Sequence, residues 1–442
     1  MSAANFESRW TRRLRPLAAA VFAFAPAAHA LQPLDSFVQG AKGFNPDNRE
    51  VQATADQQAA AADIALGRAL PQAQVRGTYT RNQYEVAIGP VPGIFPNKTY
   101  LQRFDQLDAN FTVNVPLLDV ASFVRITAAR TGADAAREQR VAIALQVESN
   151  VVQNFYQLVA DQALAAASER ALSVSGENLK LTQTRFEGGS AAGLDVDRSK
   201  ADVERQRQQL TGAQLQIQLA ARSLESASGV TPDLSQKFEL TDDLHEESEL
   251  AQFERPFPEL PSVAVAQLQR QSAEQSATSS RLALIPSLTG SFTEHLTNAT
   301  SFVGKADSYL ASVNVGWTFD FTTSATIRQG DALAAGARAR EARAQLQARD
   351  SIFRAWATVA SNIARSRSAR AEQSSASHAS QLAHDRYEAG SATQLDLLQA
   401  QRDAFSADVS RIQADAELVN ARLQLRFSSG VDPFASNASK GN

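Results

Sequence analysis

From Tyr309 the odd positions are apolar or aromatic: Tyr309, Ala311, Val313, Val315, Trp317, Phe319 and Phe321. Ser312, Asn314, Gly316, Thr318 and Asp320 stand between them. Successive side chains of a strand point to opposite faces, so this alternation predicts a strand with one apolar and one polar face. The first half of the chain repeats it, with Phe111, Val113, Val115 and Leu117 alternating with Asn110, Thr112 and Asn114. Each strand has a weaker partner: Val75, Gly77 and Tyr79 in one half, Leu288, Gly290 and Phe292 in the other. The chain thus supplies four strands, two from each half.

Elsewhere the pattern is helical. A short helix is predicted over Glu50–Arg68 and another over Ser262–Leu284, ended by Pro71 and Pro286. Stretches without proline then run from Ala121 to Glu187 and from Ser324 to Glu388. At roughly 65 residues each they predict rods of ~100 Å. A returning helix of about 35 residues follows each rod, up to Gly229 or Gly430. Laid end to end, the two short helices of a half nearly match its long one. In the first returning helix Val203, Leu210, Ile217 and Leu224 fall at heptad spacing beside Ala213, Ala220 and Ala227. The alanine row recurs as Ala407, Ala414 and Ala421, and small seam residues suit a wall of closely packed helices.

The halves are copies. RFEGGSAAGLD, Arg185 to Asp195, returns as RYEAGSATQLD, Arg386 to Asp396, 201 residues later. The offset holds without a gap from Leu181/Leu382 to Val230/Val431 and keeps Gly189/Gly390, Asp195/Asp396 and Gly229/Gly430 in place, which marks an internal duplication. The chain therefore divides into a first repeat over 31–230, an irregular equatorial connector over 231–260, a second repeat over 261–431 and a polar tail over 432–442.

Composition narrows the setting. Arg9, Arg12, Arg13 and Arg15 precede a short apolar run and Ala28-His29-Ala30, the pattern of an export signal over 1–30 cleaved before Leu31. No later apolar run is long enough for a spanning helix, so any membrane crossing falls to the strands. Four strands cannot close a barrel in lipid, where an open edge is not tolerated; three copies would give twelve. Thr80–Arg103 and the shorter Leu296–Ala306 would be the loops joining paired strands. There are no cysteines, and a net charge of −4 shows no nucleic-acid footprint. The histidines are scattered and no glycine-rich loop follows a strand. No catalytic, cofactor-binding or metal site is expected, and no enzyme.

The export signal, FNPDNREVQAT, RALPQAQVRGTYT, VNVPLLD and the two R-F/Y-E-x-G-S…LD phrases, in that order, resemble the TolC-like outer-membrane factors. The resemblance covers nearly all of the mature chain. It implies a mainly α protein with membrane β: a homotrimeric twelve-stranded β-barrel among outer-membrane lipids, continued by a long antiparallel α-helical barrel in the periplasm. Such ducts serve tripartite efflux or type I secretion. They passively conduct what an inner-membrane pump (RND, ABC or similar) delivers through a periplasmic adaptor (membrane fusion) protein. The alternative is a soluble periplasmic coiled-coil adaptor or scaffold, which needs rods but not two-faced strands.

The resemblance also places the repeated phrase at the periplasmic hairpin tips. Arg185, Phe186, Gly189, Ser190 and Leu194, with Arg386, Gly390, Ser391 and Leu395, become tip residues for adaptor contact. Asp396 falls at a constriction-ring position and Gln399 where a second ring aspartate stands. Tyr387 and Asp195 match a gate latch, whose familiar arginine is Ala392 here. From the residues alone, Thr393 and Asp396 read as a capping box and Gly189 and Gly390 as helix-ending turns, so capping is the alternative role for Asp195 and Asp396.

Overall fold

The computed structural model describes residues 33–90, 92–94, 98–235, 242–254, 256, 259–302, 304–318, 320–431 and 433–434. The export signal, its cleavage point before Leu31, Phe319, part of the connector and the end of the tail lie outside the described residues.

The order is α1 (Leu34–Phe44), α2 (Pro46–Gly67), β1 (Gln72–Arg81), β2 (Val86–Ile88), β3 (Thr99–Gln102), β4 (Asp105–Leu118), α3 (Val120–Glu187), α4 (Gly193–Ser228), α5 (Pro261–Leu282), β5 (Ser287–Thr297), β6 (Asp307–Gly316), α6 (Phe321–Glu388) and α7 (Gln394–Ser428). The rods α3 and α6 are 68 residues each, ~100 Å long. Asp119 and Asp320 start them, each accepting a backbone N–H three residues on, from Ser122 and Thr323.

Four features depart from the expectations. The short helix of the first half begins at Pro46 rather than Glu50, because Asn45 caps it through Asp47 N–H and proline is tolerated at N1. A further helix, α1, precedes it, with Phe37, Val38 and Ala41 buried on one face. The second-half strand stops at Gly316. Phe321 opens α6 and is 98 % exposed, since the Asp320 cap ends the extended run. The loop after β1 also folds back as the small hairpin β2–β3.

The four long strands form one antiparallel sheet in the order β1-β4-β5-β6. The helices keep that order: α2 packs on α3, α3 on α5 and α5 on α6. Below them α4 packs on α3, α3 on α7 and α7 on α6. Sheet and helical wall therefore share their open edges, β1 above α2 and α4 on one side and β6 above α6 on the other.

Short helices stack end to end along the wall at matching junctions. Gly229 closes α4 at φ +72°, and a Cβ there would lie 2.3 Å from Cγ of Phe44 at the end of α1. Asn45 Nδ2 donates to Ala227 O across the same joint, 3.1 Å away. In the second repeat Gly430, also at φ +72°, meets Leu260 and Pro261 at the start of α5. The main apolar core lies at the first joint, where Phe37 and Val38 meet Val151, Phe155 and Leu158 of α3 and Leu224 of α4. Along the seams the heptad alanines Ala213, Ala220, Ala407, Ala414 and Ala421 are buried, which lets neighbouring helices approach closely.

The connector straps one face of the second pair of rods. Arg422 of α7, 6 % exposed, bonds Asp242 (2.9 Å) and Glu247 (2.6 Å) and donates to His245 O (2.7 Å). Burial works against that guanidinium charge, and the two carboxylates outweigh it, so its pKa is raised. Trp356 Nε1 donates to Ser248 O at 3.0 Å.

Candidate functional site

The two copies of the repeated phrase make the same turn. Gly189 (φ +70°) and Gly390 (φ +77°) take the left-handed conformation that ends a helix. Ser190 N donates to Arg185 O at 2.8 Å and Ser391 N to Arg386 O at 2.9 Å. Both serine hydroxyls donate to those same carbonyls at 3.1 Å. The glycine and serine of the phrase thus satisfy carbonyls that the helix ends leave open.

The next helix starts differ. Thr393 N donates to Asp396 Oδ2 at 3.0 Å, the Thr393 hydroxyl donates to the same oxygen at 2.7 Å, and Asp396 N lies 3.2 Å from that hydroxyl. These bonds, the Thr393 hydroxyl first, hold the exposed Asp396 carboxyl below the usual carboxylate range. In the first copy Asp195 Oδ2 accepts only from Ala192 N, at 3.3 Å, and faces Arg198 at 3.6 Å. Gln399 is exposed and donates to Asp403 Oδ1 at 3.0 Å. Phe186, Leu194 and Leu395 expose half or more of their surface at the tips.

Just above the tips a buried polar relay joins four helices. Gln394 Nε2 of α7 donates to Asp195 O of α4 at 2.7 Å and also to Ser199 Oγ. The Ser199 hydroxyl donates to Thr182 Oγ1 of α3 at 3.3 Å, and Thr182 Oγ1 lies 3.4 Å from the Tyr387 hydroxyl of α6. Arg185 covers the Tyr387 ring at 4.3 Å and donates to Glu388 O at 2.8 Å. Thr182 and Ser199 are buried, as are Tyr387 and Gln394. Tyr387 therefore meets Thr182, while Asp195 joins the cluster through its main-chain carbonyl and spends its carboxylate on capping. Sequence reasoning missed Gln394, Ser199 and Thr182. One signal pointed to Gln394: the first copy has Gly193 at that place, one of four differences between the two phrases.

The sheet carries the other functional feature. Val75 pairs with Phe111, Val113 with Phe292, and Phe292 with Ala311, so apolar side chains share one face across all four strands. Val75, Tyr309, Val313 and Val315 are exposed on it. The opposite face is cross-linked by polar groups: Thr112 with Thr293 (3.2 Å), Ser291 with Ser312 (2.8 Å) and His295 with Asp108 (3.2 Å). Among the described residues no helix is long and apolar enough to cross a membrane.

Asp242, Asp243 and His245 are the candidate metal group among the described residues. Both Asp242 oxygens already accept from Arg422, at 2.9 and 3.2 Å, and His245 Nε2 lies 3.0 Å from it, so a cation there would compete with a guanidinium.

No curated protein sequence matches the chain. Solved structures of membrane channels are among those similar to it. CusC aligns with a TM-score of 0.79 at 16% identity over 90% of this chain and 92% of its own. The outer membrane channel CmeC of Campylobacter jejuni aligns with 0.78 at 16% identity, over 93% and 89%. The outer membrane protein VceC of Vibrio cholerae aligns with 0.77 at 17% identity, over 91% and 97%. At these identities the likeness shows the fold. The family model for outer membrane efflux proteins matches residues 39–230 and 259–431, most of the chain. The chain belongs to the outer membrane efflux protein family.

Proposed function

We propose that three copies of this outer-membrane efflux protein close edge to edge into one passive exit duct. The observation that carries the reading is the shared edge. Each open edge of the four-stranded sheet stands above an open helical edge, so one contact, β6 and α6 of one copy against β1, α2 and α4 of the next, continues both layers. An unpaired edge cannot persist in lipid, and three four-stranded sheets make an even-numbered barrel of twelve strands. The apolar face turns to outer-membrane lipids and the polar face lines the water path. A soluble periplasmic adaptor or scaffold would leave that two-faced sheet without a role.

The tips, on this reading, meet a periplasmic adaptor through Phe186, Leu194 and Leu395, beside the turns of Arg185, Gly189, Ser190, Arg386, Gly390 and Ser391. An inner-membrane pump of the RND or ABC type, or similar, supplies the cargo in efflux or type I secretion. Asp396 and Gln399 stand at the constriction. Tyr387 and Asp195 belong to the latch, held together through Gln394, Ser199 and Thr182. No catalysis, cofactor or nucleic acid enters.

Fractionation followed by native mass spectrometry tests the reading. The expected result is extraction only by detergent, as a trimer, with discrete conductance in planar bilayers. Recovery as a soluble periplasmic monomer overturns it.

A further inference from the structure

The α3–α7 seam carries two hollows. The larger, ≈ 780 Å³, includes Arg370, Arg411 and Asp415 in its wall. Arg370 also donates to Asp242 O of the strap at 2.9 Å, so this hollow lies on the strap side. The smaller, ≈ 390 Å³, is lined by Tyr156, Gln157, Asp161 and Leu164 of α3 and by Ile412 and Glu417 of α7, among others. At 100° per residue, Arg422, which holds the strap, stands roughly 150° around α7 from the middle of the smaller hollow's wall, so the strap and this hollow lie on opposite faces. In a ring of about twelve rods spaced ~10 Å apart, the bore is under ~30 Å, and three inward straps would fill it. The strap side is therefore the outside, and the smaller hollow faces the bore.

Its chemistry is specific. Asp161 is 7 % exposed, and its one hydrogen bond is from Gln157 Nε2, at 3.0 Å. Glu417 is already paired with Arg365 of α6 at 2.5 Å, which leaves Asp161 as the carboxylate without a countercharge. Burial pushes the Asp161 carboxyl up, the Gln157 bond offsets only part of this, and no neighbouring charge contributes. Next to Tyr156, Leu164 and Ile412 the ionised form of this carboxyl is costly, and a cation with apolar bulk would offset that cost.

We propose that this hollow is a binding site, within the bore, for amphipathic organic cations: an ammonium or iminium centre set against Asp161 and a flat apolar body against Tyr156, Leu164 and Ile412. The site rests on the duct reading, since only a closed wall gives it an inner face. The ligand contacts side chains of both repeats, so passing cations are held briefly at the seam between the two hairpins.

Ethidium is a suitable probe, followed by fluorescence anisotropy on the full-length protein in detergent, with the anionic dye fluorescein as control. Saturable ethidium binding, weakened about tenfold or more by Asp161→Asn, is expected, because the variant keeps the shape and removes the charge. Leu164→Trp, which fills the hollow without touching the carboxylate, should weaken it comparably. If Asp161→Asn loses its oligomeric state, Leu164→Trp decides alone. Equal affinity in the variants, equal binding of fluorescein, or no ethidium binding overturns the site. Bilayer conductance separates the two readings. Conduction without Asp161-dependent binding leaves the duct and removes the site. Asp161-dependent binding without conduction removes the duct and the bore placement with it.

Discussion

Gln394 of α7 donates from Nε2 to the main-chain carbonyl of Asp195 in α4, 2.7 Å away, and so ties the second hairpin to the start of the first hairpin's returning helix. The bond is buried and continues through Ser199 and Thr182 to Tyr387. Val196, Leu397 and Leu398 are buried at the same level, so the relay is the polar part of a packed contact.

Gln394→Ala should therefore loosen the contact between the two hairpin tips. Deleting a buried hydrogen-bonding side chain costs about 1–3 kcal/mol. The expected outcome is a several-fold rise in resting bilayer conductance, or in antibiotic entry into intact cells. Tyr387→Phe removes only the 3.4 Å end of the relay and should have a smaller effect in the same assays. A conductance unchanged in both variants would show that the relay is structural filler.

The Asp396 cap gives a pH dependence. Its pKa is lowered in the folded state by the Thr393 bonds. Its contribution to stability is thus fully present above the ordinary carboxylate pKa of about 4 and disappears as pH falls through the depressed folded value. Hydrogen exchange over 393–400 should accelerate in acid. Thr393→Ala, expected to cost about 1 kcal/mol, should abolish that acceleration.

Asp396→Asn keeps the helix start and removes one charge per copy. If three carboxylates surround the axis, the variant should lose much of its cation preference and of its block by multivalent cations. Unchanged reversal potentials in asymmetric salt would restrict Asp396 to capping.

The absence of cysteine makes the shared edge directly testable. Single cysteines at Gln72, Gln74, Arg76 or Thr78 of β1, each combined with Ser312→Cys in β6, should yield one pairing that oxidises to a covalent trimer in membranes. The two strands are the opposite edges of one chain's sheet, so cross-links within a copy are not expected. Oxidised material that runs only as monomer would remove the closure.

Arg422→Met should leave the Asp242 and Glu247 carboxylates buried without their partner, at a cost of about 3–5 kcal/mol. A lower unfolding temperature and protease cleavage near the strap are expected. Adding Asp242→Asn and Glu247→Gln should recover part of the loss, since the unpaired charges, not the missing side chain, carry most of it.

Much of the architecture was legible in the sequence, because it follows from local preferences. Alternation in β4 and β6 marked a two-faced sheet, and runs free of proline marked the rods. Gly189 and Gly390 marked turns whose geometry any single copy dictates. Expectations faltered where neighbours in space intervene. Alternation ran on to Phe321, yet the Asp320 cap turned that residue into the first of a helix. α1 was not anticipated, because its apolar face is short and finds its core only on α3 and α4.

By itself the sequence determined the duplication, the element types, the lengths that make rods rather than globules, and the need for partners to complete the sheet. Periodicity and backbone preference act within a few residues and survive in any context. Only the tertiary structure decided which polar groups meet: Gln394 with Ser199, Arg422 with Asp242, Arg185 with the Tyr387 ring. These partners lie well over a hundred residues apart, and a buried polar side chain takes whichever donor or acceptor the packing of the rods brings within about 3 Å.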